Sequence, residues 1–164
     1  MKKILFLAFI FSLLNADDFR FDPKTDSVDN LRRFCLKTKK QGIDFGEQNT
    51  NKELCAKYVD EAIAYYDKEC ENNNVEACLS ASNIYAYGLG NVQENDDKAL
   101  EIDEKVCSLK EKIGCHIAAL VYLNKSHNTD NKSEAKEFKN KAKMYYKESC
   151  KLGNEWDCKE AKKL

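Results

Sequence analysis

Hydrophobic residues along most of the chain recur at steps of three and four, the spacing of one face of an α-helix. The pattern is clearest over residues 52–70, where one apolar stripe runs through the whole segment. No segment alternates apolar and polar residues at every second position, so we predict no sheet. The stripe of residues 52–70 consists of Leu54, Cys55, Tyr58, Val59, Ala62, Ile63, Tyr65 and Tyr66.

Breaks in this pattern divide the chain into about seven helices. Gly42 is predicted to end the first helix, and Gly88 and Gly90 to end the third. Ser133 is predicted to cap the sixth helix, because a serine hydroxyl accepts a hydrogen bond from the first free N–H groups. The predicted fold is therefore all-α. The predicted spans are about 27–40, 52–70, 75–87, 96–107, 113–123, 133–150 and 155–162.

The first sixteen residues have the pattern of a secretory signal peptide. Lys2 and Lys3 precede a short apolar run over residues 4–14, and the small Ala16 offers a cleavage site. The run is too short to span a bilayer. No cysteine follows it closely, so we also predict no lipoprotein anchor. We expect residues 1–16 to be removed and the protein to be periplasmic or secreted.

The charges are balanced, with 27 basic and 28 acidic side chains and a net charge of −1. Acids and bases are well mixed along the chain, and the only arginines are Arg20, Arg32 and Arg33. A nucleic-acid-binding domain needs a basic surface that follows the phosphates. The composition therefore argues against nucleic acid as a partner.

Eight cysteines in an exported chain indicate a disulfide framework. Six of them form three pairs with seven residues between the partners, each pair flanked by helical sequence on both sides. We interpret each pair as a disulfide across a tight turn between antiparallel helices, which leaves the other two cysteines for each other. The predicted disulfides are Cys35–Cys55, Cys70–Cys78, Cys107–Cys115 and Cys150–Cys158.

The three close cysteine pairs belong to an internal repeat. Ala62, Ala99 and Ala142 each lie eight residues before the first cysteine of a pair, and the period is 37 and then 43 residues. A period in this range predicts stacked helical hairpins, none of which can bury its apolar face alone.

The repeat resembles a known family. The sequence A-C-L-S-A-S-N-I-Y-A-Y-G-L-G at 77–90, followed by D-K-A-L at 97–100, is similar to the Sel-one-like repeat. Two cysteines separated by seven residues mark its cysteine-rich branch, the Helicobacter cysteine-rich proteins. The resemblance covers about residues 52–164 and implies a TPR-like α/α solenoid of disulfide-stapled hairpins. Residues 17–27 would be a flexible leader, and residues 28–51 a divergent N-terminal helix and loop.

The resemblance also implies penicillin binding with slow β-lactamase activity, and one short motif bears on it. Ser133 and Lys136 match S-x-x-K, in which a lysine takes the proton of a nucleophilic serine. About one such match is expected by chance in a chain this rich in lysine, and the supporting motifs are missing. The alternative for Ser133 is the helix cap described above.

Other candidate sites have simpler explanations. His116 follows Cys115, and His127 is the only other histidine, but no C-x2–4-C pair is present, so we predict no metal and no cofactor. Tyrosines recur at repeat positions, which favours packing between helices over a ligand cage. These are Tyr65, Tyr66, Tyr85, Tyr122, Tyr145 and Tyr146.

Stacked hairpins present a concave face built from the first helix of each hairpin, and such faces bind peptides or proteins. The solvent-facing positions predicted for it are Ser80, Asn83, Tyr87, His116 and Leu120. The sequence thus predicts an exported, monomeric scaffold that binds a protein, a peptide or a cell-wall component. The alternatives are a penicillin-binding protein with slow β-lactamase activity and an immunity-type partner of one cognate protein.

Overall fold

The computed structural model describes residues 19–40 and 47–164, with side chains described for 19–35 and 52–164. Every regular element in these ranges is an α-helix, so the all-α prediction is confirmed. None of these helices combines the length and apolar character needed to cross a bilayer. The helices are α1 (Val28–Lys40), α2 (Glu47–Glu71), α3 (Val75–Tyr87), α4 (Asp96–Ser108), α5 (Lys112–Asn128), α6 (Lys132–Lys151) and α7 (Glu155–Lys163).

The helices pack in chain order. Each helix lies against the next one in sequence, and α1 also contacts α3. One core fills the space among α1, α2, α3 and α4, with Leu31, Val59 and Ile84 fully buried. Smaller clusters join α5, α6 and α7 around Ala118 and Tyr146. The core is thus built from contacts between helices that follow one another along the chain. The TPR-like α/α solenoid stays a prediction.

Each repeat turn reverses the chain through the same backbone geometry. One residue adopts a left-handed conformation: Asn73 (φ 64°), Lys110 (φ 69°) and Gly153 (φ 93°) stand at equivalent positions. The N–H of the following residue then donates to a carbonyl five positions earlier, as in a Schellman motif. These bonds join Asn74 to Glu69, Glu111 to Val106, and Asn154 to Ser149, at 3.0, 3.4 and 3.0 Å.

Four disulfides staple the hairpins, and they are the four pairings expected from the spacing. Cys35–Cys55 joins α1 to α2, with Cα atoms 5.4 Å apart. The other three bridge the repeat turns, with Cα separations of 4.5, 4.5 and 4.7 Å. Disulfide-stapled helical hairpins are therefore confirmed as the architecture.

Asparagine, not serine, caps four of the repeat helices, whereas Glu111 precedes α5 without a side-chain cap hydrogen bond. Asn131 precedes α6, and its side-chain oxygen accepts from the N–H groups of Ser133 and Glu134 at 3.0 and 3.3 Å. The prediction that Ser133 caps this helix is therefore wrong. Asn74, Asn95 and Asn154 cap α3, α4 and α7 in the same way.

Two helices are longer than predicted. Helix α2 begins with residues 47–51, which were expected in a loop. These residues contain no glycine or proline that would stop a helix. Helix α5 continues to Asn128, since residues 124–126 lack the glycines that end α3. At the corresponding place after α3, the left-handed Gly88 approaches Glu94 so closely that a Cβ would lie 2.6 Å from its backbone nitrogen.

The N-terminal segment packs onto the first hairpin. Phe21 is buried, Phe19 stacks on Phe34 with ring centroids 4.2 Å apart, and the Tyr58 hydroxyl donates to the Phe19 carbonyl at 2.9 Å. Part of the segment expected to be a flexible leader thus contributes aromatic side chains to the core. The predicted signal at residues 1–16, the predicted helix end at Gly42 and residues 43–46 of the expected loop lie outside the described residues. The proposed domain boundaries stay predictions.

Candidate protein-binding surface

A buried carboxylate marks the start of the last helix. Asp157 lies in the first turn of α7 and has no exposed surface. The cap residue Asn154 donates from its side-chain nitrogen to Asp157 Oδ2 at 2.7 Å, and its oxygen accepts from the Asp157 N–H at 3.4 Å. The positive end of the helix dipole adds to this favourable environment for a carboxylate.

His116 completes the surroundings of Asp157. Its Nδ1 lies 2.8 Å from Asp157 Oδ1 and 3.1 Å from Oδ2, so the imidazole on α5 is tied to α7. The ring also meets Trp156 edge-on at 5.5 Å between centroids and lies 6.4 Å from the ring of Tyr146. With Nδ1 held by the carboxylate, the imidazole is fixed in orientation, and its other nitrogen faces away from Asp157.

Large apolar side chains are exposed around this pair. Trp156 is 49% exposed, and Ile113 and Leu120 are each 41% exposed. His116, Leu120, Asn154 and Trp156 line a shallow depression of about 360 Å³ between α5 and α7. Tryptophan is enriched among the residues that dominate protein interfaces. We call Ile113, His116, Leu120, Trp156 and Lys159 the α5–α7 surface.

Exposed charges of both signs border the α5–α7 surface, since Glu155 lies one turn before Lys159 on α7. Helix α5 contains no acidic residue, and Lys112, one turn before His116, is exposed. Lys159, one turn after Trp156 on α7, is exposed as well. Neither lysine takes part in any ion pair within the described residues.

Tyrosines connect successive helices through bonds that the sequence analysis missed. The Tyr85 hydroxyl donates to Asp67 Oδ2 at 2.7 Å, and the Lys98 ammonium lies 5.8 Å from the centroid of the Tyr85 ring. Burial, and then the hydrogen bond to Asp67, raise the pKa of Tyr85 to about 12. One tyrosine on α3 thus contacts both α2 and α4.

The same arrangement recurs one repeat later. The Tyr122 hydroxyl donates to Glu104 Oε1 at 2.7 Å, and the Lys141 ammonium lies 5.2 Å from its ring centroid. Tyr145 donates to the same oxygen at 2.8 Å and stacks on Tyr122 with centroids 5.7 Å apart. Burial, and then the bond to Glu104, raise the pKa of Tyr122 to about 12. The sequence contains a signal for these contacts, because an acid, a tyrosine and a lysine recur at equivalent positions of the two repeats.

The structure places the predicted binding residues in different surroundings. Ser80 is only 8% exposed, and so it is not the solvent-facing position that the sequence indicated. Asn83 is partly buried, and its side-chain oxygen has no hydrogen-bond partner. Tyr87 is exposed, with the Arg32 guanidinium 4.9 Å from its ring centroid. Only His116 and Leu120 of the set border the depression.

The candidate nucleophile lies on the surface of α6. Ser133 and Lys136 are both exposed in the first turns of α6, and neither lines a described cavity. Within the described part of the chain, no group of three or more histidine, cysteine, aspartate or glutamate side chains is placed to hold a metal ion.

Comparison with known proteins points to one named group. No protein-family model matches the chain. The chain is 34% identical over 79 residues to cytochrome c oxidase assembly factor 7 of Xenopus tropicalis, and 32% identical over 83 residues to cytochrome c oxidase assembly factor 7A of Xenopus laevis. The matches cover 48% and 51% of this chain but only 34% and 36% of the relatives. The chain thus matches about a third of the relatives' length.

These comparisons contradict several predictions from the sequence. The relatives are named for the assembly of cytochrome c oxidase, so the assignment to the Sel-one-like cysteine-rich branch is wrong. The relatives' names also contradict the two predicted functions, an exported scaffold and a penicillin-binding protein with β-lactamase activity. The periplasmic or secreted localisation is contradicted too, because the relatives are frog proteins whose names indicate a respiratory enzyme. The cysteine spacing is a real feature, but it does not by itself identify a family.

Proposed function

We propose that this protein is an assembly factor that binds a protein component during the assembly of cytochrome c oxidase. Two curated relatives carry that function in their names, and they match about half of this chain. The observation that carries the proposal is the exposed Trp156 beside Leu120, held by packing against His116 and Tyr146. A fixed, exposed tryptophan next to an aliphatic side chain is typical of a contact that contributes much of the energy of a protein interface.

Complementation tests the proposal. We expect deletion of the gene in its own organism to lower cytochrome c oxidase activity and the amount of assembled enzyme on native gels. The unaltered protein should restore both, and the Trp156→Ala variant should not. Met144→Ala is the matched control, since Met144 is 53% exposed on α6 and lies outside the α5–α7 surface. Normal oxidase levels in the deletion strain would contradict the proposal.

Crosslinking identifies the bound protein directly. A photoreactive phenylalanine analogue at position 120, which is exposed, should crosslink to an oxidase subunit or to another protein of its assembly. The same group at position 144 should give no such product. Crosslinks of equal yield at both positions would show that the α5–α7 surface is not a specific contact.

A further inference from the structure

Helix α6 separates lysine and glutamate side chains that are mixed in its sequence. Five of its lysines follow one another at steps of four, three, four and four residues, so they lie within about 80° of arc around the helix axis. Four of them are exposed and Lys143 is partly exposed. The row extends about 22 Å along the helix. We call Lys132, Lys136, Lys139, Lys143 and Lys147 the lysine row.

The acids of α6 lie on the other side of the helix and are already bonded. They stand about 120° to 180° around the helix axis from the centre of the lysine row. By contrast, no ion pair among the described residues includes a member of the row. The bonded pairs are Glu134 with Thr129, Glu137 with Lys141 at 3.4 Å, and Glu148 with Lys151 at 3.0 Å.

The acids of the neighbouring elements do not cancel the charge of the lysine row. Glu160 on α7 accepts from Lys163 at 2.6 Å, and Asp157 is wholly buried. Asp130 and Glu155 are exposed, but they stand before and after α6, beyond the two ends of the row. Helix α7 also contributes three exposed lysines, which are Lys159, Lys162 and Lys163.

The lysine row belongs to the basic member of the three helices that begin the repeat hairpins. Helix α6 has seven lysines and three acids. Helix α2 has three lysines and seven acids, and α4 has two lysines and five acids. An anionic surface therefore attracts α6 and repels α2 and α4, so this asymmetry determines which part of the molecule approaches such a surface.

The lysine row has no apolar anchor. Met144, which is exposed on α6, lies about 100° around the helix from the centre of the row. Interfaces with proteins derive most of their energy from buried anchors, and exposed charge pairs alone contribute little. An anionic bilayer needs no anchor, because many mobile headgroups gather around the ammonium groups together. Each lysine near such a surface strengthens binding about fivefold.

We propose that the lysine row docks this protein peripherally on an anionic membrane surface. The ammonium groups pair with the phosphate and carboxylate groups of lipid headgroups. Helix α6 lies parallel to the bilayer and outside its hydrocarbon, so that the five lysines reach the headgroups together. The inference does not depend on the role in oxidase assembly.

Sedimentation with vesicles tests the proposal. At about 0.1 M salt, the complete protein should bind phosphatidylcholine vesicles that contain about 30% phosphatidylserine. Binding to pure phosphatidylcholine vesicles should be at least about 30-fold weaker. Raising the salt concentration to about 0.5 M should release the protein from the anionic vesicles, because salt screens the attraction between exposed charges.

Paired variants locate the site. Lys139→Gln combined with Lys143→Gln should weaken binding to the anionic vesicles about 25-fold. Lys57→Gln combined with Lys68→Gln is the matched control, since it changes the net charge equally at exposed positions of α2, and it should leave binding unchanged. Thermal unfolding of each variant establishes that the fold is kept. Should the first pair fail to fold, Lys132→Gln combined with Lys136→Gln provides the same test.

Four results would overturn the inference. Equal binding to the two kinds of vesicle, or an equal loss in the α2 variant, would show that the lysine row does not dock on anionic lipid. Binding of a soluble glutamate-rich peptide without any binding of vesicles would assign the row to an acidic protein. A dimer in sedimentation that is lost in the α6 variant would assign it to a second copy of this chain.

Discussion

Replacing Asp103 by asparagine should stabilise the protein at neutral pH. Asp103 lies on α4 and is only 1% exposed, and its Oδ1 has no hydrogen-bond partner. Burial raises its pKa from 3.8 to about 6, although a hydrogen bond from Ser82 acts in the opposite direction. The equivalent positions of the other repeats hold the buried tyrosines Tyr66 and Tyr146, so an ionisable acid stands here in place of an aromatic ring.

The magnitude follows from the two pKa values. Below pH 3.8 the carboxyl is protonated in both the folded and the unfolded state and has no effect on stability. Between pH 3.8 and about 6 the folded state keeps a proton that the unfolded state has released, so the free energy of unfolding falls as the pH rises. The loss is complete above pH 6 and is on the order of 3 kcal/mol.

Urea unfolding followed by circular dichroism at a series of pH values measures this. The asparagine variant should be more stable than the unaltered protein at neutral pH by about 1 to 3 kcal/mol, the range reflecting the cost of burying an amide N–H without a partner. The advantage should shrink as the pH falls from 6 to 4. Asp97→Asn is the control, and its effect on stability at neutral pH should have the opposite sign. The hydrogen bond from Lys125 lowers the pKa of the exposed Asp97.

A stability difference that does not change with pH would refute the reasoning. It would mean that Asp103 is equally easy to ionise in the folded and unfolded states, despite its burial. If the asparagine variant is less stable than the unaltered protein, and by the same amount at neutral pH and at pH 4, the carboxyl group of Asp103 makes a favourable interaction that asparagine does not replace.

Three further predictions concern the stability of the hairpins. Reduction of all four disulfides should lower the free energy of unfolding by about 10 kcal/mol, which is close to the whole stability of a domain. The melting temperature in reductant should therefore fall sharply. An unchanged melting temperature would contradict the proposed stabilising role of the disulfides. Lys110→Gly should raise the free energy of unfolding by about 0.5 to 1 kcal/mol, because glycine adopts a φ of 69° without strain. Urea titration measures this change, and a lower free energy of unfolding would contradict the prediction. Gly114→Ala should cost about 2 kcal/mol by the same assay, because its Cβ would lie 2.6 Å from Val106 Cβ; a neutral result would show that α4 and α5 can separate.

The parts of the fold that could be predicted from the sequence depend on local rules. Cysteines eight positions apart can be joined only if the chain reverses between them, which fixes the turn and the antiparallel pair. Apolar periodicity then identifies the helices on either side. The helix ends were less predictable, because Ser133 and Asn131 are both good caps and only the backbone geometry decides that Asn131 is used.

The candidate site could be predicted only in part. His116 and Leu120 were predicted as solvent-facing positions of one helix face, but Asp157 and Trp156 were not predicted. The pairing of His116 with Asp157 joins residues 41 positions apart, so no local pattern indicates it. The available signal was a departure from the repeat, since Asp157 stands where the preceding repeats have Ala77 and Gly114. A charged residue at a position that requires a small one indicates that a partner lies opposite.

The staples and the contacts between hairpins have separate roles. Three of the disulfides lie within single hairpins, so they restrict each hairpin without fixing how it meets the next one. Alignment between hairpins depends instead on side chains that reach across, such as the Glu104 carboxylate shared by Tyr122 and Tyr145. Between α5 and α7 that role falls to the bond from His116 to Asp157, which also holds His116 against Trp156. The exposed tryptophan is therefore positioned by the same contact that joins α5 to α7. We expect the proposed binding surface to respond to changes at His116 even when every disulfide is intact.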